Sequence, residues 1–166
     1  MARRSSPSIR RWTGYDHSLL GGRDRPAAGA HGRRARPLRF FAQAIGENDP
    51  VYTDVGAARA QGHRDLPVPP TFLFAIELEQ RDPFGYLTDL GVDLRRVLHG
   101  EQSFTYHTLG YAGDTLVARS TISDTYQKKG GALEFIVKDT AVTRGDGERI
   151  ADLRSVLVVQ NPEVRR

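Results

Sequence analysis

A chain of 166 residues with 39% hydrophobic content is long enough for one compact core and too short for two comfortable domains. It has no cysteine, which excludes disulfides, thiolate nucleophiles and cysteine-ligated metals and suits a reducing compartment such as the cytoplasm. Its formal charge of +4 is lopsided: residues 1–37 hold nine arginines against Asp16 and Asp24, so the remainder is net acidic.

That first stretch is rich in Pro, Gly, Ala and Ser as well as Arg, the composition of a flexible, solvated arm. No basic stripe is interleaved with aromatics in the patterned part of the chain, which argues against specific nucleic-acid binding. No apolar run approaches the roughly 20 residues that span a bilayer, and no hydrophobic stretch of an export signal follows the arginines. The expected organisation is a basic arm over 1–37 and one domain over 38–166, with no membrane span.

Leu38, Phe41, Ala42 and Ile45 fall at the spacing of one helical face, closed by Gly46. A second short helix fits Asp54 to Gln61, with Asp54 as N-cap and Gly62 as terminator. After a loop from His63 to Pro69, Pro70 can open a longer helix reaching about Arg81, because its missing N–H has no partner in a first turn. Phe72, Leu73, Ile76 and Leu78 make that helix apolar over much of its circumference, as a helix wrapped by a sheet would be. A loop is expected over about 82–93. Beyond it the hydrophobic period falls to two, predicting strands at about 102–108, 114–127, 132–144 and 149–160, with turns at Gly130-Gly131 and Gly145-Asp146-Gly147. Helices first and long antiparallel strands afterwards make an α+β fold, a curved antiparallel sheet over one central helix.

Four segments carry the chemistry. They are Gly46-Glu47-Asn48-Asp49-Pro50-Val51-Tyr52, Pro69-Pro70-Thr71-Phe72, Leu98-His99-Gly100-Glu101-Gln102 and Ala112-Gly113-Asp114-Thr115-Leu116. In this order, behind a short helix and over about residues 38–160, they resemble the hot-dog-fold MaoC-like dehydratases. The likeness is to the amino-terminal half of the two-part members: fatty-acid-synthase-type dehydratase half-domains, the hydratase 2 region of peroxisomal multifunctional enzymes, and mycobacterial hydroxyacyl-carrier-protein dehydratase subunits. The resemblance implies a hot-dog fold, an acyl-CoA or acyl-carrier-protein substrate and no cofactor. In that family an Asp and a His in a Gly-Asp-x-Asn-Pro-(Leu/Ile)-His motif hold the water that adds across an enoyl-thioester, a task suited to a carboxylate and an imidazole near neutral pH.

This chain departs from that motif. Aligned on Gly46 and Pro50, Glu47 stands for the Asp, Asp49 for the Asn and Tyr52 for the His. A phenol titrating near 10 is no ready base at neutral pH. The resemblance therefore implies a chain without its own catalytic dyad, a subunit of an (R)-specific enoyl-thioester hydratase or 3-hydroxyacyl-thioester dehydratase that shapes the acyl tunnel beside a dyad-bearing MaoC-like partner. A homodimer or a heterodimer would both cover an exposed sheet edge. Two other functions stay open: an acyl-thioester-binding homodimer without turnover, and a hot-dog acyl-CoA thioesterase that uses Glu47 or Asp49 to activate water.

Glu47, Asp49 and His63 are the candidate catalytic residues of this chain, with turn-capping and surface exposure as their plainer roles. By resemblance Pro70, Thr71, Phe72, Leu73, Phe74 and Ile76 are the candidate substrate-binding wall, and the N–H groups of Thr71 and Phe72 the candidate donors to a thioester carbonyl. Helical spacing makes the same apolar residues candidates for plain core. His99 and Glu101 alternate along a strand entry and are expected on one face, forming with Gln102 a structural polar network; no metal site is expected.

Overall fold

The computed structural model describes residues 35–79 and 81–162. Helix α1 spans Ala35–Ala44 and buries Leu38 and Ala42. It ends where Gly46 turns at φ +74° and Glu47 N–H reaches back to the Ala42 carbonyl, a left-handed close that a side chain would strain. Ile45 lies in this turn and is exposed, so the expected apolar face stops at Ala42. The expected arm lies outside the described residues except for Ala35–Pro37, which open α1.

Helix α2, Val55–Ala60, is capped by Asp54, whose carboxylate accepts the Ala57 N–H at 2.7 Å. The central helix is shorter than its pattern suggests. A 3₁₀ turn, Pro70–Phe72, runs into α3, Leu73–Leu78. It closes at Glu79, whose N–H turns back to the Ile76 carbonyl, and beyond it the Asp82 carboxylate accepts the Phe84 N–H. The expected loop after it contains a further short helix, α4, Gly85–Asp89, which buries Tyr86 and Leu87.

Four antiparallel strands follow: β1 Val97–Tyr106, β2 Leu116–Lys128, β3 Leu133–Arg144 and β4 Arg149–Gln160. Their order in the sheet is β1-β4-β3-β2, so β1 joins the far side of the meander. Among the described residues the sheet is open, with β1 and β2 as its edges. Strand β1 begins five residues before the alternating pattern does, because a bulge between His99 and Glu101 breaks the alternation in its first half.

Alternation assigns the faces. Helix α3 lies on the inner face. There Leu73 packs in a cluster with Leu38, Val51, Leu116, Val142 and Leu153. At the other end of the same face α4 covers a second cluster, in which Tyr86, Leu87 and Leu90 meet Ile122, Ile136 and Leu157. The inner face thus has two apolar ends, and what lies between them is polar.

Candidate functional site

In the Gly46–Tyr52 loop each carboxylate has a local job. Glu47 Oε1 accepts the Asp49 N–H at 2.8 Å, and Asp49 Oδ1 accepts the Val51 N–H at 2.9 Å, capping the 3₁₀ turn Pro50–Tyr52. Such bonds to a following N–H are the usual work of acidic residues in turns. Burial, then the charges of Glu47 and Asp49, push the Tyr52 phenol above its ordinary value. It therefore stays protonated at neutral pH and cannot serve as the base that a histidine would be.

His63 is held elsewhere. Its Nδ1 lies 3.3 Å from the Tyr111 hydroxyl, and the Arg64 guanidinium sits 4.6 Å over the Tyr111 ring. Asp114 binds Arg64, accepts the Tyr111 N–H at 2.9 Å and pairs with Arg144 at 3.1 Å. Burial by itself would raise the Asp114 carboxyl, but the bonds from Arg64 and Tyr111 and the charges of Arg64 and Arg144 outweigh it and hold the group below the usual carboxylate range. Backbone bonds from Val68 to Gly110 and from Ala112 to Leu66 complete a buttress between the 63–69 and 109–114 loops. His63 makes no hydrogen bond, ion pair or ring contact with Glu47 or Asp49.

Along the central helix Pro70 and Thr71 are exposed, Phe72 packs edge-on against Phe41 at 5.3 Å, and Phe74 stacks on His99 at 5.5 Å with the rings 9° from parallel. Ile76 packs half-buried against the first cluster. Two expectations are corrected. Leu73 is 2% exposed and belongs to the core, because it points straight down onto the sheet. The Phe72 N–H is already given to the Pro69 carbonyl at 3.0 Å, as 3₁₀ geometry requires, and so is no free donor to a thioester.

The expected His99–Glu101–Gln102 network is also corrected. The bulge at Gly100 places His99 opposite Leu157 and Glu101 opposite Val156, residues on opposite faces of β4, so the two side chains diverge. Gln102 instead accepts the Ser155 hydroxyl proton on the inner face. Among the described residues no group of three or more His, Cys, Asp or Glu is placed to hold a metal ion, and no helix is long and apolar enough to cross a membrane.

The polar centre of the inner face was not anticipated. Glu77 on α3, only 4% exposed, accepts from Lys138 Nζ at 2.7 Å and from the Thr140 hydroxyl. Ser120 lies 2.9 Å from Thr140 across the strands, and Lys138 faces Ser155 in the pairing of β3 with β4. Lys138 Nζ also lies 5.4 Å from the centre of the Tyr86 ring. Burial and the nearby Glu77 charge push the Tyr86 phenol well above its ordinary value. Two signals for this cluster stood in the sequence: Glu77 shares the buried helical face of Leu73 at i+4, and Lys138 occupies an inward slot of β3 between Ile136 and Thr140.

A family model described as FAS1-like, dehydratase domain region, matches residues 34–153. A UPF0336 protein of Clavibacter michiganensis subsp. michiganensis is 35% identical over 144 residues, 87% of this chain and 95% of its own. A UPF0336 protein of Parafrankia sp. is 41% identical over 120 residues, 69% of this chain and 75% of its own. Among solved structures, a MaoC-like dehydratase aligns with TM-score 0.75 at 19% identity, over 94% of this chain and 44% of that one. A chain of the HadBC (3R-hydroxyacyl-ACP dehydratase) complex from Mycobacterium tuberculosis aligns with TM-score 0.63 at 24% identity, over 74% of this chain and 85% of that one. The (R)-hydratase of A. caviae involved in PHA biosynthesis gives 0.56 at 17%, with the same two coverages of 74% and 85%. The fold is the hot-dog of the MaoC-like dehydratases, and at these identities the structural likeness speaks for fold alone.

Proposed function

Because the chain belongs to the FAS1-like dehydratase-region family, we propose that it is one half of an (R)-specific enoyl-thioester hydratase or 3-hydroxyacyl-thioester dehydratase. It forms a wall of the acyl site, and a dyad-bearing MaoC-like partner supplies the aspartate and histidine. The observation that carries this reading is the Gly46–Tyr52 loop, which keeps a tight turn while its carboxylates are spent on backbone N–H groups and a protonated phenol stands in the histidine's place. Acid–base catalysis in this family pairs a carboxylate with an imidazole, and in this loop a phenol held above its ordinary value stands where the imidazole would be.

Two features support the sharing of a site. The sheet has open edges at β1 and β2 among the described residues, and an added strand from a second hot-dog would satisfy their unpaired backbone groups. The chain also aligns with less than half of a MaoC-like dehydratase, the extent a half-unit would match. On this reading Phe72, Phe74 and Ile76, with Pro70 and Thr71 at the helix entrance, line the acyl group, and the substrate is an acyl-CoA or an acyl-carrier-protein thioester.

The expected outcome of Glu47→Gln combined with Asp49→Asn is a modest loss of stability, with hydration by the reconstituted pair within a few-fold of the unaltered pair. A loss of activity beyond about a hundredfold without unfolding, the scale expected for a missing acid–base group, would move catalysis into this chain. Release of free CoA thiol from a saturated acyl-CoA, abolished by the same substitutions, would instead identify a thioesterase.

A further inference from the structure

Helix α1 has two faces with different work. Leu38 and Ala42 point into the core, and Phe41 packs edge-on against Phe72, 5.3 Å away at the start of the central helix. The opposite face carries Arg36, Phe40 and Gln43 at i, i+4 and i+7, a single exposed stripe. Phe40 is 73% exposed, more than any other large hydrophobic side chain among the described residues. With Pro37 and Arg39 the stripe lines an open groove of about 560 Å³. The charge on this face is also unmatched. Elsewhere Arg64 and Arg144 face Asp114, Arg149 faces Asp152 and Arg154 faces Asp139. Arg36 and Arg39 have no carboxylate partner among the described residues, and α1 itself holds no acidic residue. Arg39 commits only its Nε, to the Thr53 carbonyl at 2.7 Å.

We infer that the Arg36–Phe40–Gln43 face of α1 docks an acidic helical protein, the carrier that brings the acyl thioester, so that the substrate arrives on a protein and not on CoA. The inference rests on the reading of the chain as half of an acyl-thioester site. Charge complementarity selects an acidic partner: residues 38–166 are net acidic and would repel one over most of their surface, whereas α1 offers two arginines with no carboxylate beside them. An exposed aromatic ring flanked by arginines has the composition of the few residues that dominate protein interfaces. A nucleotide is held differently, in an enclosed site where polar groups converge from several directions. Here the groove is open and its polar side chains, Arg36, Arg39 and Gln43, all project from one helix, which suits an apposed protein surface. The position fits delivery as well. Phe41 touches Phe72 from the other side of a helix roughly 10 Å across, so a carrier seated on Phe40 stands one helix width from the start of α3.

The test is calorimetric binding of two saturated thioesters that undergo no hydration, butyryl-CoA and the butyryl form of the acyl-carrier protein of fatty-acid synthesis. Both are titrated into the full chain mixed with a dyad-bearing MaoC-like chain encoded beside it. The carrier form should bind at least about tenfold more tightly than butyryl-CoA, with an advantage that shrinks as salt is added. Arg36→Glu and Phe40→Ala should each weaken carrier binding by at least about fivefold and leave the butyryl-CoA constant within about twofold. Lys129→Glu, an exposed charge reversal at the turn between β2 and β3, should move neither constant. Carrier binding no tighter than that of butyryl-CoA overturns the inference, whether or not the variants fold, and leaves the acyl-site reading standing. Undiminished carrier binding by Arg36→Glu and Phe40→Ala variants of normal melting temperature overturns it equally. Binding of neither probe is a different failure, since it removes the acyl-site reading and the docking face together.

Discussion

Gly100 shows how a single missing methyl group sets the geometry of an edge strand. A Cβ there would lie 2.8 Å from Val158 Cγ2 and 3.1 Å from the Val156 carbonyl oxygen, and the latter belongs to backbone that cannot rotate away. Gly100→Ala should therefore cost about 1–3 kcal/mol, read from the midpoint of urea unfolding; unchanged stability would mean that the bulge relaxes freely. Glu77 and Lys138 illustrate a different residue-level rule. Removing one member of a buried ion pair leaves the other uncompensated, at about 3–5 kcal/mol, whereas replacing both by apolar groups is often near neutral. Lys138→Met alone should thus be far more destabilising than Glu77→Leu with Lys138→Met, and a double-mutant cycle in urea would expose the coupling. Additive single costs would show that the pair is held by its surroundings and not by each partner.

At the scale of elements, the Asp114 buttress reinforces the β-bridge between the 63–69 and 109–114 loops. Its carboxyl titrates below the usual range in the folded protein, so it stabilises the fold at pH values above the unfolded carboxylate value, near 3.9. That contribution fades as the pH falls through the lower, folded value. Asp114→Asn should cost about 1–3 kcal/mol at pH 7 and progressively less below pH 4, with unfolding by urea at the two pH values as the measurement. A cost that does not shrink in acid would assign Asp114 a purely steric role. Most elements could be foreseen because hydrophobic period, caps and turn residues agreed, as they do in β2, β3 and β4. The exceptions have local causes. Strand β1 hid its first half behind a bulge, α4 is only five residues long and begins at glycine, and the central helix closes at Glu79 with a 3₁₀-type bond to Ile76.

For the whole molecule, the sequence segments that resemble the hot-dog dehydratases agree with the fold and the family found. The resemblance implies that Glu47, Asp49 and Tyr52 stand at positions of a dyad-bearing motif, and the structure adds that the two carboxylates cap the turn they sit in. The charged centre of the sheet escaped notice because its members are far apart in the chain: Glu77 and Lys138 are 61 residues apart, and neither lies in a motif. A helix pattern shows which face is buried but not what the opposing strand presents to it. Among the described residues the fold has a core interrupted by charge and two open sheet edges, at β1 and β2. Each of these features is consistent with a unit completed by a second hot-dog.

The measurement that bears most directly on this account is hydration of crotonyl-CoA, followed by loss of enoyl-thioester absorbance, for the purified chain alone and after mixing with a dyad-bearing MaoC-like chain encoded beside it. The account predicts no turnover by this chain alone and turnover by the mixture that saturates at equal amounts of the two chains. Hydration by this chain alone, lost on substitution of Glu47, Asp49 or His63, would contradict it.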